Sequence, residues 1–135
     1  MNDQLLGTPT SQRWASGMII SSIGLVTGLA HLDHLIEDAY AMPVVSSILF
    51  PLGLSVGLLR AGYWLAKSDY GSEQAVSIVI WSVIGAVALT LSGAVVQHAV
   101  SVTGDTTVMI VLPSSVTEGT AIGFAYGVYA IWNDE

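Results

Sequence analysis

His31 and His34 stand three residues apart in the segment HLDHLIEDAY, interleaved with Asp33, Glu37 and Asp38. Residues three and four apart are neighbours on a helix, so His31, His34 and Asp38 share one face and Glu37 lies close to it. Imidazole and carboxylate are donors for zinc and other transition metals. An imidazole beside carboxylates can also titrate near neutral pH and report acidity. A third histidine, His98, and an isolated acid, Glu118, occupy the ends of later apolar runs and can reach the same rim. Three uses follow from these residue types. They can form a metal site on His31, His34 and His98, or a sensor cluster of His31, His34, Asp38, His98 and Glu118. They can equally be a polar collar of solvated helix ends. The spacing is not the H-E-x-x-H of a zinc helix, and no nucleophilic triad, phosphate loop or nucleotide fingerprint is present.

The elements that must position these groups are four apolar stretches, Trp14 to Ala30, Val44 to Ala66, Ala75 to Val96 and Val116 to Trp132. Charged residues make up 10% of the chain, against about 25% in soluble domains. Mean hydropathy is +0.69 and the hydrophobic fraction 53%. About 20 mostly apolar residues cross a bilayer as a helix. A water-soluble bundle would carry a polar stripe on each helix, whereas the polar positions inside these runs are mainly Gly, Ser and Thr. The expected fold is therefore all-α, an integral membrane four-helix bundle. One transmembrane domain covers residues 1–135, with spans near 14–36, 43–66, 74–98 and 114–132. Pro9 breaks a polar tail of thirteen residues. Pro51 is expected to kink or locally unwind span two, and Ser72 with Glu73 to cap span three. Glu118, beside Thr117, Gly119 and Thr120, is costly at membrane depth unless partnered or hydrated. Gln97, His98 and His31 are its candidate partners. Otherwise it caps span four, where a negative charge suits the helix dipole.

The net charge is −7, three cations against ten acids. A nucleic-acid face or a polybasic lipid patch is thereby disfavoured. Arg13, Arg60 and Lys67 fall on one side of a four-span arrangement, and the positive-inside rule puts that side, with both termini, in the cytoplasm. Trp14, Trp64 and Trp132 mark the same boundary as an aromatic belt. Arg60, seven residues inside Lys67, either snorkels to the interface or partners a buried acid. With no cysteine, disulfides, Cys-zinc sites and thiol catalysis are absent. The cofactor is unassigned. Haem or retinal stays open, though no lysine lies within the spans to form a Schiff base.

Lipid tails remove the hydrophobic drive between helices, so small residues that allow close packing must supply association. Span one carries Gly24 and Gly28, span two Gly53 and Gly57, and span four Gly119, Gly123 and Gly127 at four-residue spacing. All are expected to line helix contacts, within the chain or across a homodimer.

Four motifs carry a family resemblance. Residues 51–58 read P-x-x-L-S-x-G-L, residues 61–69 x-G-x-W-L-A-x-S-D, and residues 81–85 W-x-x-x-G. The last span reads G-x-x-x-G-x-x-x-G with a Tyr following. Together, over roughly residues 13–132, they resemble the N-terminal membrane sensor region of histidine kinases from halophilic archaea. In that family the four spans lead into cytoplasmic signalling modules and a kinase core. The resemblance implies a sensor, either a stand-alone module or a piece of a longer receptor. Its role would be non-catalytic, passing an external or intramembrane stimulus to a cytoplasmic partner. A small accessory subunit of a membrane complex is the alternative. A proton or ion conduit through Glu118 and the histidines is a third.

Overall fold

The computed structural model describes residues 9–37, 42–103 and 111–134, and every one of them outside the turn at 68–71 is helical. The helices are α1 (Pro9–Glu37), α2 (Met42–Lys67), α3 (Ser72–Thr103) and α4 (Val111–Asp134). At 1.5 Å per residue they are about 36–48 Å long, enough to cross a hydrocarbon core of about 30 Å. Three carry apolar runs of spanning length, Thr10–Ile36, Ile48–Lys67 and Ser72–Val96. In α4 the glycines, Ser114, Ser115, Thr117, Glu118 and Thr120 dilute the apolar content.

Each helix extends beyond the expected span. Pro9 opens α1 rather than breaking the tail, since its fixed φ suits a first helical position and its missing N–H is not needed there. Pro51 lies within α2, which stays helical through it without unwinding. The cap of α3 is one residue earlier than expected. The Gly71 carbonyl accepts from Ala75 N–H at 3.0 Å, and Gly71 N–H donates to Gln74 Oε1 at 2.9 Å. Gln74 thus supplies the returning half of a capping box. Arg13 stops the other side of this turn. Its Nε donates to the Ala66 carbonyl and its Nη1 to the Tyr70 carbonyl, each at 3.3 Å. A cation is favourable at the C-terminus of α2, where carbonyls lack helical partners.

The chain forms two helical hairpins. α1 packs extensively on α2 and α3 on α4, while contact between the hairpins is sparser and runs α1 to α3, α2 to α4 and diagonally α1 to α4. The order around the bundle is therefore α1–α2–α4–α3, and the short 68–71 turn crosses the other diagonal.

Glycines make both tight interfaces. A Cβ on Gly17 would overlap the Gly62 carbonyl, and one on Gly24 would sit 2.6 Å from Leu59 N and Ser55 O. Ser21 Oγ donates across the same seam to the Leu59 carbonyl at 2.8 Å. In the second hairpin a Cβ on Gly85 would strike the Gly119 carbonyl, one on Gly123 the Trp81 carbonyl, and one on Gly127 would lie 3.0 Å from Ile78 Cα. Gly28 is looser, 3.4 Å from Ser55 Cβ. Gly53 and Gly57 take no part in contacts within the chain: no atom lies within 4 Å of a Cβ at either, because both sit on the exposed face of α2.

Burial is inverted relative to a soluble bundle. Ile36, Val26 and Val95 are 74%, 67% and 70% exposed, whereas Ser55, Ser82, Thr117 and Thr120 are fully buried. Three of the buried hydroxyls bond back to their own helices. Thr27 donates to the Ile23 carbonyl at 2.8 Å, Ser82 to Ile78 at 2.7 Å and Thr120 to Val116 at 2.6 Å. With no water available, such back-bonding removes most of the cost of a buried hydroxyl. Three of the four helices have spanning apolar runs and the exterior is apolar, so the chain is a multi-pass membrane protein.

These contacts set a stability test. Overpacking a close interface costs about 1–3 kcal/mol or more, so Gly119→Leu is expected to lower the melting temperature in detergent clearly. Gly53→Ala should melt at the parent temperature or above, because it removes a flexible helical glycine without a clash. Equal melting of Gly119→Leu and the parent would show that the second hairpin is not held by backbone contact.

Candidate functional site

The apolar core cluster of Ile20, Leu58, Leu65, Ala75, Ile78 and Ile131 fills the half of the bundle near Lys67. The other half holds, beside Ile48, a set of buried polar groups. Thr27 and His31, one turn apart on α1, face inward together, as their four-residue spacing requires. Thr27 Oγ1 lies 2.8 Å from Ser55 Oγ on α2. Because Thr27 donates to its own helix, Ser55 supplies the proton of that bond. His31 is 0% exposed, and its Nε2 lies 3.0 Å from Thr117 Oγ1 on α4. One face of α1 therefore holds its hairpin partner through Thr27 and the opposite hairpin through His31.

His31 Nδ1 is buried and has no hydrogen-bond partner among the described residues. Whichever tautomer is present, the ring has one donor or acceptor unused, and such an orphan costs about 1–3 kcal/mol. An imidazole held at one nitrogen and open at the other can accept or donate one further bond, to a small polar ligand or a buried water.

The rest of the expected cluster differs in exposure. His34 is half-buried, and Asp33 and His98 are exposed. Among the described residues no three of His, Asp and Glu come together in a way that could hold a metal ion. His31 is buried in the core, whereas His98 is exposed. Asp38 lies outside the described residues. Glu118 is half-buried and sits seven residues into α4, which begins at Val111. It therefore does not cap the helix, because the dipole's influence is confined to the first turn. Thr117, its neighbour, is the residue that meets His31. Sequence reasoning missed Thr27, Ser55 and Thr117 as site residues. The one signal for them was hydroxyl groups at membrane depth, which must find partners.

The His31–Thr117 contact can be weighed directly. His31→Ala removes a buried ring and leaves a cavity, so a melting-temperature loss of several degrees in detergent is expected. His98→Ala, on an exposed face, should change it little. In a cycle with Thr117→Val the two core variants should show a coupling of about 1 kcal/mol. Strict additivity would mean that the contact does not join the hairpins.

Residues 17–129 match the family model described as the archaeal 4TM region of histidine kinase. No curated protein and no solved structure matches the chain. The matched stretch begins in α1 at Gly17, ends in α4 at Tyr129, and takes in both hairpins and the His31–Thr117 contact between them. By that match this four-helix membrane chain belongs to the archaeal 4TM region of histidine kinases.

Proposed function

We propose that the chain is a membrane sensor module, without catalytic activity of its own, in which the polar half of the bundle receives a stimulus and α4 delivers it to a cytoplasmic output. Family membership supports a sensing role, because the matched region is the membrane part of these kinases rather than their catalytic core. The observation that carries the mechanism is the buried His31–Thr117 bond, which ties α1 to α4 across the bundle diagonal. Each hairpin is locked by backbone contacts, so the softest motion is movement of one hairpin against the other. A ligand or ion that engages His31 Nδ1 would compete with or strengthen the Nε2 bond and shift that equilibrium. Two packings separated by a few kcal/mol suffice for such a switch. The positive-inside rule places the Arg13 and Lys67 end in the cytoplasm, so the C-terminal end of α4, at Trp132 to Asp134, faces the output.

Spin labels test this, and the absence of native cysteine makes the labelling specific. A pair at Thr10 and Asn133 reports the two hairpins relative to each other. A pair at Thr10 and Asp69 reports the first hairpin alone. Thr117→Val and His31→Ala are expected to shift or broaden the first distance distribution in nanodiscs and to leave the second unchanged. If both variants keep the parent distribution at Thr10–Asn133, the diagonal bond does not control the hairpin arrangement.

A further inference from the structure

On the outer face of α2, Arg60 and Lys67 flank the same ring. Arg60 Cζ lies 5.8 Å and Lys67 Nζ 5.9 Å from the Tyr63 ring centroid. Lys67 also stands 5.3 Å from the Trp14 centroid. The chain has ten acids, yet among the described residues none pairs with either cation. Two like charges beside one ring, next to hydrocarbon, are unfavourable without a counter-ion. The ring contacts supply no acceptor for the five guanidinium N–H donors of Arg60.

Beside Arg60 a groove of about 680 Å³ runs between α2 and α4, within the range of about 300–1,000 Å³ typical of ligand clefts. Small residues, Gly57, Ala61 and Ala125, and aromatic ones, Trp64, Tyr129 and Trp132, line it, and Arg60 is its single charged residue. Gly57 leaves its side of the groove open, with no atom within 4 Å of where a Cβ would stand.

We propose that this groove binds one anionic phospholipid. Its hydrocarbon chain lies along Gly57, Ala61 and Ala125, and its phosphate sits on the Arg60 guanidinium at the groove's edge, with Lys67, outside the lining, adding to the local positive charge. Arg60 is seven residues inside Lys67, about 10 Å of helix rise, so its side chain extends along α2 toward the headgroup layer. Its planar fork matches phosphate oxygens in pairs. A zwitterionic lipid would bring its own cation against two others. A second copy docked about a two-fold axis over the groove would set Arg60 against cations of the same kind, with no acid in the lining to neutralise them. The site is separate from the His31 contact and does not depend on a sensing role.

The whole chain in phosphatidylcholine nanodiscs, titrated with chain-brominated phosphatidylglycerol, tests the assignment, because bromine quenches the groove tryptophans Trp64 and Trp132. Saturable quenching at low mole fraction is expected, unaffected by millimolar inorganic phosphate. Arg60→Gln should weaken it about tenfold, the size of one charge-assisted hydrogen bond, while Arg60→Lys, which keeps the charge but not the fork, should weaken it less. Gly57→Leu should fill the groove and abolish the saturable phase with no loss of melting temperature. Should Gly57→Leu misfold, the Arg60 pair decides. Equal quenching by brominated phosphatidylcholine, competition by inorganic phosphate, unchanged affinity in Arg60→Gln, or a dimeric particle with unquenched tryptophans would each overturn the proposal.

Discussion

Backbone touching backbone is the interaction on which this bundle depends. In hydrocarbon a leucine gains nothing by leaving lipid for protein, so helices adhere only where they approach closely enough for dispersion and dipole contact. Gly17 with Gly62 in the first hairpin, and Gly85 with Gly119 in the second, allow that approach because no Cβ stands between the helices. Everything apolar can then face outward. The exposure of Ile36, Val26 and Val95 is the expected counterpart of this arrangement.

A second consequence concerns the space between the hairpins. Contact there is sparser, and the two halves of the bundle use it differently. Near Lys67 the interior is filled by Ile20, Leu65, Ile78 and Ile131, and Trp64 reaches from α2 to Phe124 on α4 with ring centroids 6.2 Å apart. Toward the other end the interior holds Thr27, Ser55, His31 and Thr117. Hydrogen bonds have stricter geometry than apolar packing and few alternative partners at this depth. A bundle built this way has one firm end and one end whose arrangement turns on a few directed bonds. That asymmetry suits a device that must hold together while one hairpin moves against the other. The orphaned Nδ1 of His31 lies at the directed end.

The exterior is not uniform either. Aromatic and cationic side chains gather at the Lys67 end, where Trp14 and Tyr63 share Lys67 and Arg60 borders the α2–α4 groove. Gly53 and Gly57, with the same spacing as the packing glycines, lie on this exposed side of α2. Small residues on a lipid-facing helix surface leave room for a molecule from outside as readily as for a neighbouring helix.

The residues alone determined the solvent, the helices and their number. Hydropathy adds along the chain, and no knowledge of neighbours is needed to see that runs of this length and composition belong in a bilayer. The family motifs of spans two to four were readable for the same reason, being short and local. Helix ends were less so: the caps at Gly71 and at Arg13 on Ala66 depend on groups that meet only after folding. Tertiary structure alone decided which face of each helix turned inward. Gly119 and Gly123 lie against α3 while Gly53 and Gly57 face outward, although both sets repeat every four residues. His31 and His98 looked alike in the sequence, yet one is buried against Thr117 and the other exposed. The physical reason is that helix rotation about its own axis is set by what the opposing helix presents, and that pairing is absent from any single stretch of chain.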